Sequence, residues 1–110
     1  MATTDRLSGR PVMLIAGGSG SIGEAVAIEA AAQGWAVVVH GRNAGKLATQ
    51  VASLRAAAPA EAVAGDVADD DAARRIVAEA AEKFGRIDAV VDCVATGPRE
   101  GRLTGPFRET

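Results

Sequence analysis

A glycine-rich turn follows the apolar run Val12–Ala16, and a helical pattern begins directly after that turn. Gly18, Gly20 and Gly23 have the G-x-G-x-x-G spacing. Glycines in such a turn allow the backbone to approach a pyrophosphate closely, and the pyrophosphate then binds at the positive end of the following helix. The spacing therefore predicts a binding site for a phosphate-bearing cofactor.

The elements that position this turn are short apolar runs alternating with longer amphipathic runs. The apolar run Val37–Val39 is continuous and β-branched, which is typical of a parallel strand covered on both faces. Strands alternating with helices predict a parallel sheet with right-handed crossovers. The predicted strands are Val12–Ala16, Ala36–His40, Glu61–Gly65 and Ala89–Val94, and the predicted helices are Ile22–Gln33, Ala44–Ala57 and Asp69–Phe84.

This pattern predicts the α/β class, with a Rossmann-like parallel sheet flanked by helices in the order β-α-β-α-β-α-β. It is a truncated version of a doubly wound fold, because only half of the usual strands are present. We expect residues 1–95 to form a dinucleotide-binding half-domain and residues 96–110 to form a tail rich in Gly and Pro.

Composition limits the classes of partner. At 110 residues the chain is at most one small domain, and its net charge of −2 argues against an electrostatic nucleic-acid surface. No apolar stretch reaches the roughly 18 residues of a membrane span. The single cysteine, Cys93, excludes an internal disulfide framework and is typical of a reducing, cytoplasmic location. One His and one Cys do not make a zinc site of the usual kind, so we expect no metal.

The chain resembles the short-chain dehydrogenase/reductase family over nearly its whole length. The family loop reads Thr-Gly-x-x-x-Gly-x-Gly, and Ala16–Gly23 lies on it, with Ala16 in place of the Thr and Ser21 in place of the middle glycine. The resemblance implies that the loop binds the pyrophosphate of a dinucleotide. The implied loop residues are Gly17, Gly18, Ser19, Gly20, Ser21, Ile22 and Gly23.

The end of the second predicted strand bears on the choice of cofactor. Rossmann folds that prefer NAD place an acid about 20 residues after the loop to bind the ribose 2′-hydroxyl. Gly41 lies where that acid would be, and the charge and forked donors of Arg42 suit a 2′-phosphate. The resemblance thus implies NADP(H) rather than NAD(H), with Ser19 and Asn43 near the phosphate. Two alternatives stay open: Arg42 is a solvated residue that opens the second helix, and His40 either contacts a ribose or only ends the strand.

Two further segments match cofactor-lining parts of the family. Asp66 and Val67 resemble the Asp-Val pair whose acid contacts the adenine ring, although an Asp here could instead bind turn N–H groups. Asp92–Ala95 stands in place of the family's Asn-Asn-Ala-Gly segment, so Cys93 falls among the cofactor-lining residues. We expect Cys93 to be a small core residue rather than a nucleophile, and Asp92 to weaken binding by its charge.

The chemistry of the family depends on a Tyr activated by a Lys, and this chain contains no Tyr. The resemblance therefore implies the NADP(H)-binding portion of an oxidoreductase without the catalytic Tyr-Lys half. The alternative is a non-catalytic nucleotide-binding or self-assembling module. Because a half sheet leaves the edge of its fourth strand uncovered, we expect a homo-oligomer formed through that edge. The other expected partner is the dinucleotide, with neither nucleic acid nor membrane.

Overall fold

A parallel sheet flanked by helices forms the described part of the computed structural model, residues 7–67 and 70–93. The sheet order is β3-β2-β1-β4, and every neighbouring pair is parallel. The predicted α/β fold class is confirmed. None of the helices in these ranges is long and apolar enough to cross a membrane. The elements are β1 (Val12–Ala16), α1 (Ser21–Ala32), β2 (Ala36–Gly41), α2 (Ala44–Leu54), β3 (Ala60–Ala64), α3 (Asp70–Phe84) and β4 (Ala89–Asp92).

Both faces of the sheet are covered where the valine run crosses it. Val37 and Val39 pack in a cluster with Leu47 of α2 and with the alanines of α1, whereas Val38 packs in a second cluster with Phe84 of α3. All three valines are fully buried. Successive side chains of a strand point to opposite faces, so a continuous apolar run needs a layer of helices on each face. The prediction from the valine run is confirmed.

The predicted bounds of the second helix were wrong at its end. This helix, α2, ends at Leu54 rather than Ala57, because the N–H groups of Ala56 and Ala57 bond to the carbonyls three residues back. Such bonds tighten the chain out of the α-helix just before Pro59. The other ends within the described residues agree with prediction or differ from it by one residue. Asp69, Val94 and the predicted tail 96–110 lie outside the described residues.

The register of β4 against β1 is fixed at both ends. At the start, the Val12 N–H donates to Asp88 Oδ2 at 2.7 Å, and the Asp88 N–H donates to the Val12 carbonyl at 2.8 Å. Arg86 binds the same carboxylate through two nitrogens, at 3.0 and 2.7 Å. At the far end, the Cys93 N–H donates to the Ala16 carbonyl at 2.7 Å. The carboxyl ends of β1 and β4 are therefore held level with each other.

Within the described residues β4 pairs with β1 alone and is an edge strand. Its Val90 side chain is 56% exposed. On the opposite face, an apolar groove of about 410 Å³ runs between the sheet and α1, and Met13, Val26, Trp35 and Val91 contribute to its walls. The edge and this groove are the apolar surfaces that the described chain leaves open near β4.

Candidate nucleotide-binding site

A cavity of about 360 Å³ opens at the carboxyl ends of the strands, and every strand contributes to it. Strand β1 leads into the glycine loop, β2 ends at Gly41, β3 leads to Asp66, and β4 is followed by Cys93. Ligands of open α/β sheets bind at this edge, at the point where the strand order reverses, which here lies between β1 and β4. The lining residues are Gly17, Ser19, Gly20, His40, Gly41, Arg42, Asp66, Val67 and Cys93.

The glycine loop packs directly against the first turn of α1. Gly17 has a φ of 75°, a backbone conformation that favours glycine. A Cβ atom on Gly23 would overlap the Gly17 carbonyl oxygen and lie 2.6 Å from Gly18 Cα. Because these are backbone atoms, only glycine at position 23 lets the helix approach the loop so closely. Glycine is thus favoured at position 17 by its backbone conformation and required at position 23 by close packing.

The start of α1 leaves donors open toward a ligand. The first N–H with a carbonyl partner inside the helix is that of Glu24, which donates to the Gly20 carbonyl at 2.8 Å. The N–H groups of Ser21, Ile22 and Gly23 precede it and have no partner within the helix. Gly20, at the N-cap, has no side chain to replace such a partner. This helix end can accept an anion through backbone N–H groups and through the helix dipole.

His40 is part of the cavity wall, and its ring joins two loops. Its side chain is 2% exposed. The Gly17 N–H donates to Nδ1 at 3.2 Å, and Nε2 lies 2.8 Å from the Gly65 carbonyl oxygen. Because that carbonyl can only accept, the ring carries its proton on Nε2. Both ring nitrogens are therefore used by the backbone, which favours a structural role over a ribose contact.

Gln50 of α2 also holds the loop, and sequence reasoning missed it. Its Nε2 donates to the Gly18 carbonyl at 2.9 Å from a buried position. The Gly18 N–H donates in turn to the His40 carbonyl at 2.7 Å. The loop is therefore tied both to β2 and to α2. No local pattern in the sequence marks Gln50, because its partner is 32 residues away.

Arg42 lies at the mouth of the cavity with its guanidinium exposed. Arg55, Arg74 and Arg86 each pair with a carboxylate, whereas Arg42 makes no ion pair within the described residues. The helix is opened by the next residue, Asn43, whose Oδ1 accepts the Lys46 N–H at 3.0 Å. The capping of α2 therefore does not need Arg42, and its charge is available to a ligand.

The remaining lining residues lie at the ends of β3 and β4. Asp66 is exposed, and Val67 packs against the cluster on the α3 face. Cys93 packs against the cluster on the opposite face. Burial, and secondarily the charge of Asp92, raises the pKa of the Cys93 thiol, which leaves it protonated and a poor nucleophile. Asp92 itself is exposed, and its side chain is not among those that line the cavity.

Five of the residues that the sequence singled out do not line the cavity. Gly18 is buried below it, and Gly23 is packed against the loop. Asn43 lines an adjacent groove of about 470 Å³ between α1 and α2, which shares Ser19 with the cavity. The other two, Ser21 and Ile22, are exposed in the first turn of α1, so only their backbone N–H groups are placed to serve an anion.

Comparisons with known proteins agree with this geometry. A family model described as enoyl-(acyl carrier protein) reductase matches residues 16–110. A 3beta-hydroxysteroid dehydrogenase of Mediterraneibacter gnavus is 40% identical over 82 residues, which is 74% of this chain and 30% of that protein. The short-chain reductase protein NovJ of Streptomyces niveus is 39% identical over 94 residues, which is 84% of this chain and 36% of that protein. The chain spans about a third of the length of these curated relatives.

Solved structures of dehydrogenases and reductases are also similar to this chain in fold. A short-chain type dehydrogenase/reductase from Mycobacterium ulcerans has a TM-score of 0.72 at 30% identity, over 80% of this chain and 34% of that chain. Actinorhodin polyketide ketoreductase with NADPH has a TM-score of 0.73 at 28% identity, over 87% of this chain and 37% of that chain. NAD+-bound xylitol dehydrogenase has a TM-score of 0.68 at 31% identity, over 73% of this chain and 31% of that chain.

Proposed function

Because this chain belongs to the short-chain dehydrogenase/reductase family, we propose that it is the NADP(H)-binding portion of an oxidoreductase. Bound NADP(H) would supply or accept a hydride at a carbonyl or alcohol carbon, while this portion binds and orients it. The observation that carries the proposal is the cavity at the strand ends, with Arg42 at its mouth and without an ion pair among the described residues. We assign the catalytic Tyr and Lys of the family to a part of the enzyme outside these 110 residues.

The proposed preference for NADP(H) rests on residues of this chain, because similar solved structures hold either NADPH or NAD+. Gly41 places no acid at the end of β2, so nothing there repels a phosphate on the ribose. Arg42 follows directly and has no carboxylate partner among the described residues. A guanidinium binds phosphate oxygens through paired, charge-assisted hydrogen bonds. We therefore assign the 2′-phosphate to Arg42, with Ser19 and Asn43 beside it.

The rest of the proposed site follows the surfaces of the cavity. The pyrophosphate binds at Gly17–Gly23, where the glycine loop allows close approach and the first turn of α1 presents backbone N–H groups. The adenine binds beside Asp66 and Val67, and Cys93 forms part of the wall next to β1. The residues that line the cavity thus offer hydrogen-bond donors for the phosphates and an apolar wall near the adenine ring.

A second candidate function is a non-catalytic nucleotide-binding or self-assembling module. The edge of β4 favours it, because no described strand pairs with that edge and an unpaired edge offers N–H and C=O groups to another chain. Exposed Val90 and the groove of Met13, Val26, Trp35 and Val91 add apolar surface beside that edge. The proposed assembly is a homo-oligomer through this surface. A monomer of the full chain in light scattering would contradict it, and NADPH turnover with carbonyl substrates would contradict the non-catalytic role.

The proposal places the protein in the cytoplasm. Its support is the single cysteine, which has no disulfide partner within the chain and is a half-buried free thiol in the structure. Proteins of oxidising compartments more often stabilise small domains by disulfides.

Calorimetric titration of the 110-residue chain with NADPH and with NADH tests the cofactor assignment. We expect saturable binding with a lower Kd for NADPH. The substitution Arg42→Ala should weaken NADPH binding roughly ten- to hundredfold, since charged hydrogen bonds are worth about 1.5–3 kcal/mol, and should change NADH binding much less.

Arg74→Ala is the matched control, because Arg74 is an exposed arginine of α3 that pairs with Asp71 away from the cavity. It should leave both Kd values unchanged. Binding of neither nucleotide by the unmodified chain would refute the proposal. An equal loss for NADPH and NADH in Arg42→Ala would refute the assignment of the 2′-phosphate.

A further inference from the structure

A side chain at position 41 would meet the glycine loop at close range. Gly41 is buried at the end of β2, and its φ lies outside the left-handed region, so its backbone conformation suits any residue. A Cβ atom built on Gly41 would nevertheless lie 2.5 Å from Ser19 Oγ and 3.0 Å from Ser19 Cβ. Leu47 Cδ2, at 3.5 Å, would be in ordinary contact. The two atoms nearest to such a Cβ thus both belong to Ser19, which crowds any side chain at this position.

Rotation of the Ser19 side chain relieves only part of this crowding. A change of χ1 would move Oγ, but Cβ would stay 3.0 Å from the new atom, which is closer than side chains normally pack. The backbone of the loop is also held on both sides of Ser19. The Gly18 N–H donates to the His40 carbonyl at 2.7 Å, the Gly18 carbonyl accepts from Gln50 at 2.9 Å, and the Gly20 N–H donates to the Gly17 carbonyl at 3.3 Å.

We infer that Ser19 is a specificity-determining residue, which keeps the ribose-binding acid of NAD-preferring sites out of position 41. Such an acid accepts a hydrogen bond from the 2′-hydroxyl and repels a 2′-phosphate. In this chain the preference for NADP(H) belongs to Ser19 and Gly41 as a pair, and Arg42 adds attraction to a phosphate that the pair admits. This inference rests on the proposed function, because it concerns the choice between two dinucleotides.

The first test uses stability and needs no nucleotide. Melting temperatures are measured for Gly41→Ala, Ser19→Gly, Ser19→Ala and the two double variants that combine Gly41→Ala with each serine substitution. We expect Gly41→Ala to lower the Tm by several degrees alone and by little in the Ser19→Gly background. The Ser19→Ala background should give only partial relief, because its Cβ remains. Equal losses in all three backgrounds would overturn the inference.

The second test measures the Kd of NADPH and NADH. Gly41→Asp alone should weaken both nucleotides, because the loop must move to admit the side chain. Ser19→Gly combined with Gly41→Asp should instead lower the Kd of NADH and raise that of NADPH, so that the preference changes by roughly tenfold or more. Asn43→Asp is the matched charge control: it adds a carboxylate nearby, can still cap α2, and should weaken NADPH without strengthening NADH.

The results distinguish a failure of the role inferred for Ser19 from a failure of the proposed dinucleotide binding. If Gly41→Asp alone keeps the Tm of the unmodified chain and binds NADH more tightly, Ser19 excludes nothing and the inference is overturned. If the unmodified chain binds neither nucleotide, the proposed function fails and the specificity role fails with it. The stability measurements still decide in that case whether Ser19 excludes a side chain at position 41.

Discussion

The imidazole of His40 and the carbonyl of Gly65 meet at 2.8 Å, and this contact connects the end of β2 to the loop after β3. The opposite nitrogen of the ring accepts the N–H of Gly17, where the glycine loop begins. One buried side chain thus holds together the part of the wall proposed for the pyrophosphate and the part proposed for the adenine. The shape of the cavity depends on a residue that needs no contact with the ligand.

We expect His40→Ala to lower the free energy of unfolding by about 1–3 kcal/mol, because it leaves a backbone donor and a backbone acceptor without their partner. Urea unfolding measures the change. Thr49→Ala is the control, since it removes only an exposed hydrogen bond to the Gly45 carbonyl and should have little effect. Long-range ¹H–¹⁵N NMR should find the ring proton on Nε2, and a proton on Nδ1 would contradict the described contacts.

The clamp at the start of β4 should make stability depend on pH in the acid range. The Arg86 guanidinium, and next the Val12 N–H, hold the pKa of the Asp88 carboxyl below its ordinary value of 3.8. The folded chain therefore binds this proton less readily than the unfolded chain. The stabilisation is present above the unfolded pKa and is lost as the pH falls through the folded pKa.

Accordingly, Asp88→Asn should lower the urea midpoint at neutral pH, and the difference from the unmodified chain should shrink below about pH 4. Asp71→Asn is the comparison, because its pair with Arg74 on α3 is largely solvent-exposed and should contribute less. A difference between Asp88→Asn and the unmodified chain that stays constant down to the acid limit would contradict the role of the clamp.

Cys93 should react slowly with alkylating reagents. Burial first, and then the negative charge of Asp92, raises its pKa above the ordinary value of 9.0, so the thiolate is scarce at neutral pH. We expect iodoacetamide to modify the folded chain more slowly than the urea-unfolded chain at every pH below that value. Asp92→Asn should recover part of the rate, because it removes only the smaller cause. Equal rates for the folded and unfolded chains would contradict the prediction.

Structural features that depend on residues close together in the chain could be predicted from the sequence. The run Val37–Val39 predicts a strand covered on both faces, because consecutive side chains point to opposite faces and all three are apolar. The glycine spacing predicts the turn from loop to helix because Gly17 of the loop and Gly23 of α1, which are close in sequence, pack against each other. Parallel strands then bring their carboxyl ends to one edge, which gives the place of the site.

Features that depend on distant contacts escaped sequence reasoning. The partners of His40 are 23 and 25 residues away, and that of Gln50 is 32 residues away, so no periodicity records them. From the sequence alone, Gly41 indicates only that the acid of NAD-preferring folds is missing at the end of β2. In the structure a Cβ atom at the same position would lie 2.5 Å from Ser19 Oγ, and the sequence alone does not reveal this contact between distant residues.

The clamp between Val12 and Asp88 joins residues 76 positions apart, and it holds one end of β1, an interior strand of the sheet. On the ribosome, β1 leaves the exit tunnel early and must wait for almost the whole described chain before its second neighbour arrives. Closing so long a loop is slow compared with forming any of the helices. We therefore expect the wall near Cys93, which follows β4, to form after the parts of the cavity that β1, β2 and β3 supply.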